Sequence, residues 1–346
     1  KSNYKNNLVF LSKSGSLLIR SIFVLLLYKL EYFEFLGLYS IVASLCVIFT
    51  GVVGFEMHMI SNREIASLEV KNNLEFPLYY HTLMVLLLTI LTSFLLFLFI
   101  DLEWAAIAIL IGTYYVIAEY IRFFNFSNKI VLSANLNLLR DFLVVITFLG
   151  YFLGQTTFFF LSLLSLILVF VLLYFSDKLK TMNTEKWLNQ TKNLWEYSKY
   201  FYLNVITRNI LAYADRFLVL NISGLDGLGK YTLLAYVNTS AVTLLNGSVI
   251  YTRIPLLLGK KISPDKFIKN TLFKSYLFLI LIWLTFYFSY PILRLNLESF
   301  SLFFIFIFML FGSSTLFFGV TGQIVYSLGK DKYLVFTMIL AGLITL

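Results

Sequence analysis

The chain has 346 residues, of which 60% are hydrophobic and 13% are charged, and its formal net charge is +9. A soluble domain carries about 25% charged residues, so the composition excludes an ordinary soluble domain and predicts a polytopic α-helical membrane protein. The single cysteine, Cys46, excludes an internal disulfide and a multi-cysteine metal site. With only two widely separated histidines, no metal or other cofactor is expected.

Apolar runs follow one another along the chain, and a helix needs roughly 20 residues to cross the hydrocarbon core. The predicted spans are Leu8–Tyr28, Phe35–Ile60, Tyr79–Ile100, Ala105–Asn125, Ser133–Leu153, Thr156–Ser176, Tyr200–Ile222, Tyr231–Leu258, Leu272–Tyr290, Ser301–Val320 and an incomplete run from Tyr333 to Leu346. We therefore expect about 11 spans of a set of 12 or more, with the C-terminal end missing. The predicted domains are an N-terminal six-helix half (1–176), a polar cytoplasmic linker (177–199) and an incomplete C-terminal half (200–346).

Lysine and arginine are distributed unequally between the predicted loops on the two sides of the membrane. With the N-terminus placed in the cytoplasm, the opposite side carries only Lys29, Lys230 and Arg294. Cytoplasmic loops of membrane proteins are enriched in these cations. The asymmetry predicts a multi-pass protein of the cytoplasmic membrane with a cytoplasmic N-terminus, and it accounts for the net charge without a nucleic-acid partner.

Two glycine motifs indicate an internal repeat. Gly37-Leu38-Tyr39 opens the second span and Gly229-Lys230-Tyr231 opens the eighth, an offset of 192 residues (from 37 to 229). Each motif leads into a long helix that ends at an arginine, Arg63 or Arg253. Six spans per half give both halves the same orientation, which predicts an all-α fold of two pseudo-symmetric six-helix bundles around a central cavity. A chance match between two similar helix starts is the alternative.

Four arginines lie inside predicted spans: Arg20, Arg140, Arg208 and Arg216. An arginine near the bilayer centre costs at least about 2.5–3.5 kcal/mol on insertion scales, and it is retained where it faces water, a counter-charge or a ligand. The cationic excess predicts an anionic ligand. Arg20 and Arg208, in the corresponding first and seventh spans, are the strongest candidates. Arg140 and Arg216 are alternatively side chains that extend to the inner and outer membrane surfaces.

Other polar residues also lie within the spans. Asp141 follows Arg140, and Asp215 precedes Arg216, so that a structural salt bridge is one interpretation of Asp215. Small polar residues recur at helical spacing in the second and eighth spans, namely Ser40, Ser44, Thr239, Thr243 and Asn246. Residues of this kind either line a polar surface or mediate the packing of helices.

The order of these features resembles the polysaccharide flippases of the MOP superfamily, in particular the O-antigen (Wzx-type) transporters. The resemblance is carried by the two glycine motifs, by Arg63-Glu64-Ile65-Ala66 at the end of the second span, and by Ala214-Asp215-Arg216 in the seventh. It covers essentially the whole chain, and it depends on the order and spacing of the motifs.

The resemblance implies a carrier without enzymatic activity that moves an undecaprenyl-pyrophosphate-linked oligosaccharide to the outer leaflet by alternating access. Arginine is the preferred partner of pyrophosphate oxygens, so Arg20 and Arg208 are expected to bind the diphosphate, with Arg140 and Arg216 as further candidates. Asp215 and Asp141 are expected to form ion pairs or to couple transport to an ion gradient, and the polar stripes to face the sugars. The expected partners are this lipid-linked oligosaccharide and the bilayer, and glycan polymerase machinery is left open.

Two other functions remain open from the sequence. A multidrug or cation antiporter of the same fold would need an excess of acidic groups in its core, whereas Asp141 and Asp215 each have an adjacent arginine. A membrane enzyme of polysaccharide synthesis usually needs a sizeable outer loop or a nucleophile–base set. The predicted outer loops, such as Gly154-Gln155, are very short.

Overall fold

The computed structural model of the chain describes residues 2–54, 78–126, 130–175, 184–245, 257, 262–289, 302–328 and 333. Every extended regular element in these ranges is an α-helix, as expected for a chain that must satisfy its backbone hydrogen bonds within hydrocarbon. The helices are α1 (Ser2–Lys29), α2 (Phe33–Gly54), α3 (Leu78–Phe99), α4 (Leu102–Phe126), α5 (Ile130–Tyr151), α6 (Gln155–Phe175), α7 (Thr184–Leu245), α8 (Pro264–Ser289) and α9 (Leu302–Ser327).

Five described helices contain segments that are long and apolar enough to cross a membrane: Phe33–Val52, Thr82–Phe99, Leu102–Ile121, Val131–Tyr151 and Pro264–Phe288. A shorter apolar segment covers Gln155–Val171. The expected all-α fold is therefore confirmed in this part of the chain, and the length and composition of these helices fit a membrane protein. The full set of 11 spans and the two six-helix bundles stay predictions, and Arg63, Arg253 and residues 334–346 lie outside the described ranges.

Helix α7 is two helices joined by a turn. An uninterrupted helix of its 62 residues would measure about 90 Å, roughly three times the hydrocarbon thickness of a bilayer. Gly224 interrupts it with φ 67° and ψ −169°, a conformation that glycine adopts readily and other residues rarely do. Residues 184–223 (α7a) therefore include most of the predicted linker, and residues 225–245 (α7b) form the second helix.

The described residues divide into two compact units. Unit 1 contains residues 2–20, 41–54, 78–126, 130–175 and 184–214, and unit 2 contains residues 21–40, 215–245, 257, 262–289, 302–328 and 333. Each unit has its own buried core.

Helix α4 forms the centre of unit 1 because it packs against α3, α5 and α6. Its Tyr115 and Val116 belong to a buried cluster that also contains Leu86 of α3 and Val169 of α6. Gly112 allows α3 to approach so closely that a methyl group at this position would overlap the side chain of Thr89. Small residues permit such close packing of helices in membranes.

Unit 2 contains two helical hairpins with matching contacts. In the first hairpin, the rings of Phe23 (α1) and Tyr39 (α2) lie 5.1 Å apart. In the second hairpin, the Tyr231 hydroxyl (α7b) donates a hydrogen bond to Asp215 (α7a). Residues 215 and 231 each follow their counterparts, 23 and 39, by the 192 positions that separate the glycine motifs. The repeat therefore holds for these two hairpins, while the equivalence of whole halves stays a prediction.

Candidate functional site

A polar cluster in unit 1 is built from one face of α1 and one face of α5. Ser16 and Arg20 are separated by one helical turn on α1, and Asn137, Arg140 and Asp141 have i, i+3 and i+4 spacing on α5. Residues three or four apart project from the same side of a helix. The two helices thus bring five polar side chains together within otherwise apolar surroundings. We call this group, together with Tyr114 of α4, the Asp141 cluster.

Asp141 is the centre of the cluster. Its carboxylate accepts hydrogen bonds from the Ser16 hydroxyl and from Nη2 of Arg20, and Nε of Arg140 donates to Oδ1 at 3.1 Å. Asn137 connects the two helices, because its Nδ2 donates to Ser16 Oγ at 3.0 Å and its Oδ1 accepts from Arg140 Nη2 at 2.6 Å. Asp141 therefore restrains both guanidinium groups, and Asn137 restrains that of Arg140.

The charged side chains of this cluster are largely buried. Asp141 is 2% exposed, and the side chains of Arg20 and Arg140 are 19% and 15% exposed. The ring of Tyr114 lies 4.5 Å from the Arg140 guanidinium carbon and 6.0 Å from that of Arg20. One carboxylate faces two guanidinium groups, so these three ionised groups carry a net positive charge of one. Charge-assisted bonds from arginine suit the oxygens of phosphate groups.

A second group of polar side chains lies in unit 2, between α7a and α7b. Asp215 Oδ2 accepts the hydrogen bond from Tyr231, while its Oδ1 is buried without a hydrogen-bond partner among the described residues. Arg216 is 7% exposed, and its Nη2 donates to Thr239 Oγ1 at 3.3 Å. This burial argues against extension of Arg216 to the membrane surface.

The predicted site residues are only partly brought together. The structure places Arg20 beside Arg140 and Asp141, and it places Arg216 beside Thr239. Ser40 and Ser44 are 1% and 0% exposed on α2. The backbones of Arg208 and Thr243 are helical, but their side chains, like the whole of Asn246, lie outside the described part. The expected pairing of Arg20 with Arg208 stays a prediction, as do the binding roles of all these residues.

Sequence reasoning missed three members of the Asp141 cluster: Ser16, Asn137 and Tyr114. A signal existed for two of them, because Ser16 precedes Arg20 by four residues and Asn137 precedes Asp141 by four. Polar residues at this spacing share a helix face. Tyr114 is one of 23 tyrosines in the chain, and nothing in the sequence distinguishes it from the others.

Metal chemistry would be an alternative to anion binding. Among the described residues, no group of three His, Cys, Asp or Glu side chains is placed to hold a metal ion. No protein-family model, curated protein or solved structure matches the chain. The function is therefore argued from the residues of the chain itself.

Proposed function

We propose that the chain is a lipid-linked oligosaccharide flippase, and that its Asp141 cluster binds the diphosphate of an undecaprenyl-type carrier during alternating access. The observation that carries this proposal is the convergence of Arg20 and Arg140 on one buried carboxylate in a unit built of apolar helices. The sugar would travel with the diphosphate, and the polyprenyl tail would remain in the bilayer.

The charge balance of the cluster favours an anionic ligand. Removing an ionised group from water costs several kcal/mol even after relaxation, so a buried cation needs a compensating charge. Arg20 and Arg140 share one carboxylate, that of Asp141. Arg140 uses Nε for Asp141 and Nη2 for Asn137, and a guanidinium carries five N–H donors in total. A diphosphate oxygen can therefore share Arg140 without displacing its protein partners.

The same balance disfavours a multidrug or cation antiporter. A binding site for a lipophilic cation requires acidic groups in excess, because like charges in a poorly hydrated site repel each other strongly. The Asp141 cluster instead places two guanidinium groups against a single carboxylate. Cation export is therefore the alternative activity that the transport experiment must distinguish from movement of the lipid.

The test is transport by the purified protein in liposomes, with a fluorescent undecaprenyl-diphosphate sugar as the substrate. Arg20→Gln and Arg140→Gln should each lower the initial rate at least about tenfold, equivalent to roughly 1.4 kcal/mol. Arg140→Lys should fall between the parent and Arg140→Gln, because lysine keeps the charge but loses the planar fork. Lys269→Gln, which removes an exposed cation from α8, is the matched control and should transport at the parental rate.

Binding of the diphosphate lipid to the parent protein provides a second test, which does not depend on the folding of any variant. Undecaprenyl diphosphate should raise the thermal unfolding temperature of the parent protein, and undecaprenol, which lacks the phosphates, should not. Full transport by folded Arg20→Gln and Arg140→Gln proteins would contradict the proposal. Export of a cationic dye without movement of the diphosphate lipid would replace it with the antiporter.

A further inference from the structure

The two repeat glycines make the same contact twice. A methyl group at Gly37 would overlap the carbonyl oxygen of Leu225, and a methyl group at Gly229 would overlap the carbonyl oxygen of Phe33. Leu225 precedes Gly229 by four residues, just as Phe33 precedes Gly37 by four. A reciprocal contact of this kind is the property of a twofold-related interface. We call it the glycine crossing of α2 and α7b.

The glycine crossing is a close backbone contact between two helices that each keep their own hydrogen bonds. The carbonyls of Phe33 and Leu225 are at the first turns of α2 and α7b, where each also faces the N–H group four residues later in its own helix. Parting the helices therefore leaves the hydrogen bonds of each helix intact.

The side-chain contacts at the crossing are exposed and therefore weak. Lys230 Nζ lies 5.1 Å from the centre of the Phe33 ring and donates to Asp226 at 2.7 Å. Lys230 and Asp226 are about half exposed, with side-chain exposures of 51% and 53%. Exposed cation–π contacts and exposed ion pairs contribute little in water, so they do not lock the two helices together.

We propose that the glycine crossing is a gate, which parts and closes once in each transport cycle; this inference rests on the proposed function. A side chain in place of Gly37 or Gly229 should hold the gate open, because the facing carbonyl cannot move away unless its whole helix moves. Closure depends on the absence of a side chain at both positions, and each repeat contributes one glycine and one carbonyl.

Thiol labelling tests the gate directly. In a Cys46→Ala chain, Leu36→Cys is combined with Gly229→Ala, and Leu228→Cys with Gly37→Ala. Both reporter positions are 0% exposed in the closed crossing. A membrane-impermeant maleimide should react at least about tenfold faster with each combination than with the same reporter beside intact glycines.

The matched control is Gly15→Ala, where the added methyl group would lie 3.4 Å from a Leu138 side-chain carbon, an ordinary contact. It should leave the labelling of both reporters unchanged. Unchanged labelling in both glycine variants would overturn the gate, and so would equal acceleration by Gly15→Ala. Size-exclusion profiles identify any variant that is not folded, and cross-linking with both glycines intact then tests the gate.

Cross-linking separates failure of the gate from failure of the proposed function. Phe33→Cys and Lys230→Cys, joined by a short bismaleimide, should lose transport at least about tenfold, and the treated single variants should not. Full transport after cross-linking overturns the gate alone. If the untreated protein moves no diphosphate lipid, the proposed function fails, while the labelling experiment still reports whether the crossing opens.

Discussion

Asp141 holds two arginines in place, and its removal should be more damaging than the loss of either arginine. Asp141→Asn would remove the carboxylate that Arg20 and Arg140 share and leave these two buried cations next to each other. Breaking a buried ion pair by removing one partner costs about 3–5 kcal/mol. We expect a clear fall in the thermal unfolding temperature of the detergent-purified protein, measured by intrinsic fluorescence.

A second substitution provides the control for this prediction. Arg20→Gln in the Asp141→Asn background removes one of the two opposed cations and should recover part of the lost stability. A double variant that is no more stable than Asp141→Asn would mean that repulsion between the arginines is not the cause of the loss.

Tyr114 should stabilise the orientation of Arg140 through the face of its ring. The guanidinium carbon lies 4.5 Å from the ring centre, and a cation–π contact contributes about 0.5–2 kcal/mol depending on desolvation. Tyr114→Leu should therefore lower the free energy of unfolding by an amount in this range, whereas Tyr114→Phe should retain most of it. Equal losses in the two variants would assign the effect to the tyrosine hydroxyl instead. Thermal unfolding in detergent distinguishes the two outcomes.

At the level of helices, the close packing of α3 against α4 should make any side chain at position 112 destabilising. Gly112→Ala would place a methyl group against Oγ1 and Cγ2 of Thr89, and overpacking of a tight contact typically costs about 1–3 kcal/mol. Thr89→Ala in the same chain removes both atoms and should restore part of the stability. The absence of any recovery in the double variant would show that α3 and α4 do not adjust at this point. The readout is the unfolding temperature of the single and double variants.

Helix positions could be predicted from the sequence, but the partners of each helix could not. The sixth span, predicted as Thr156–Ser176, corresponds to α6 at Gln155–Phe175, because a long charge-free run has no alternative in hydrocarbon. The spacing of Asn137, Arg140 and Asp141 likewise indicates a polar face on α5. Nothing in the sequence states that α1 lies opposite this face, because the surfaces of apolar helices are chemically similar and their pairing depends on detailed packing.

At the scale of the whole molecule, the two repeats differ where a functional difference is expected. Phe23 in the first hairpin is 4% exposed and packs against Tyr39, whereas the equivalent position in the second hairpin is Asp215, which accepts a hydrogen bond from Tyr231. In the first hairpin, the apolar ring of Phe23 is enough to fill this buried position. A carboxylate in the other repeat, with one buried oxygen that has no hydrogen-bond partner in the described part of the chain, therefore points to a role beyond packing.

The double variant Asp215→Leu/Tyr231→Phe separates packing from function. Replacing both members of a buried polar pair with apolar groups of similar shape is nearly neutral or stabilising, so the unfolding temperature should stay at or above the parental value. If Asp215 serves transport, the initial rate in liposomes should fall at least about tenfold. Phe23→Leu, at the equivalent position of the first hairpin, is the matched control and should keep the parental rate. Parental transport in the double variant would assign Asp215 to structure alone, and a large loss of stability would show that its bond to Tyr231 supports the fold.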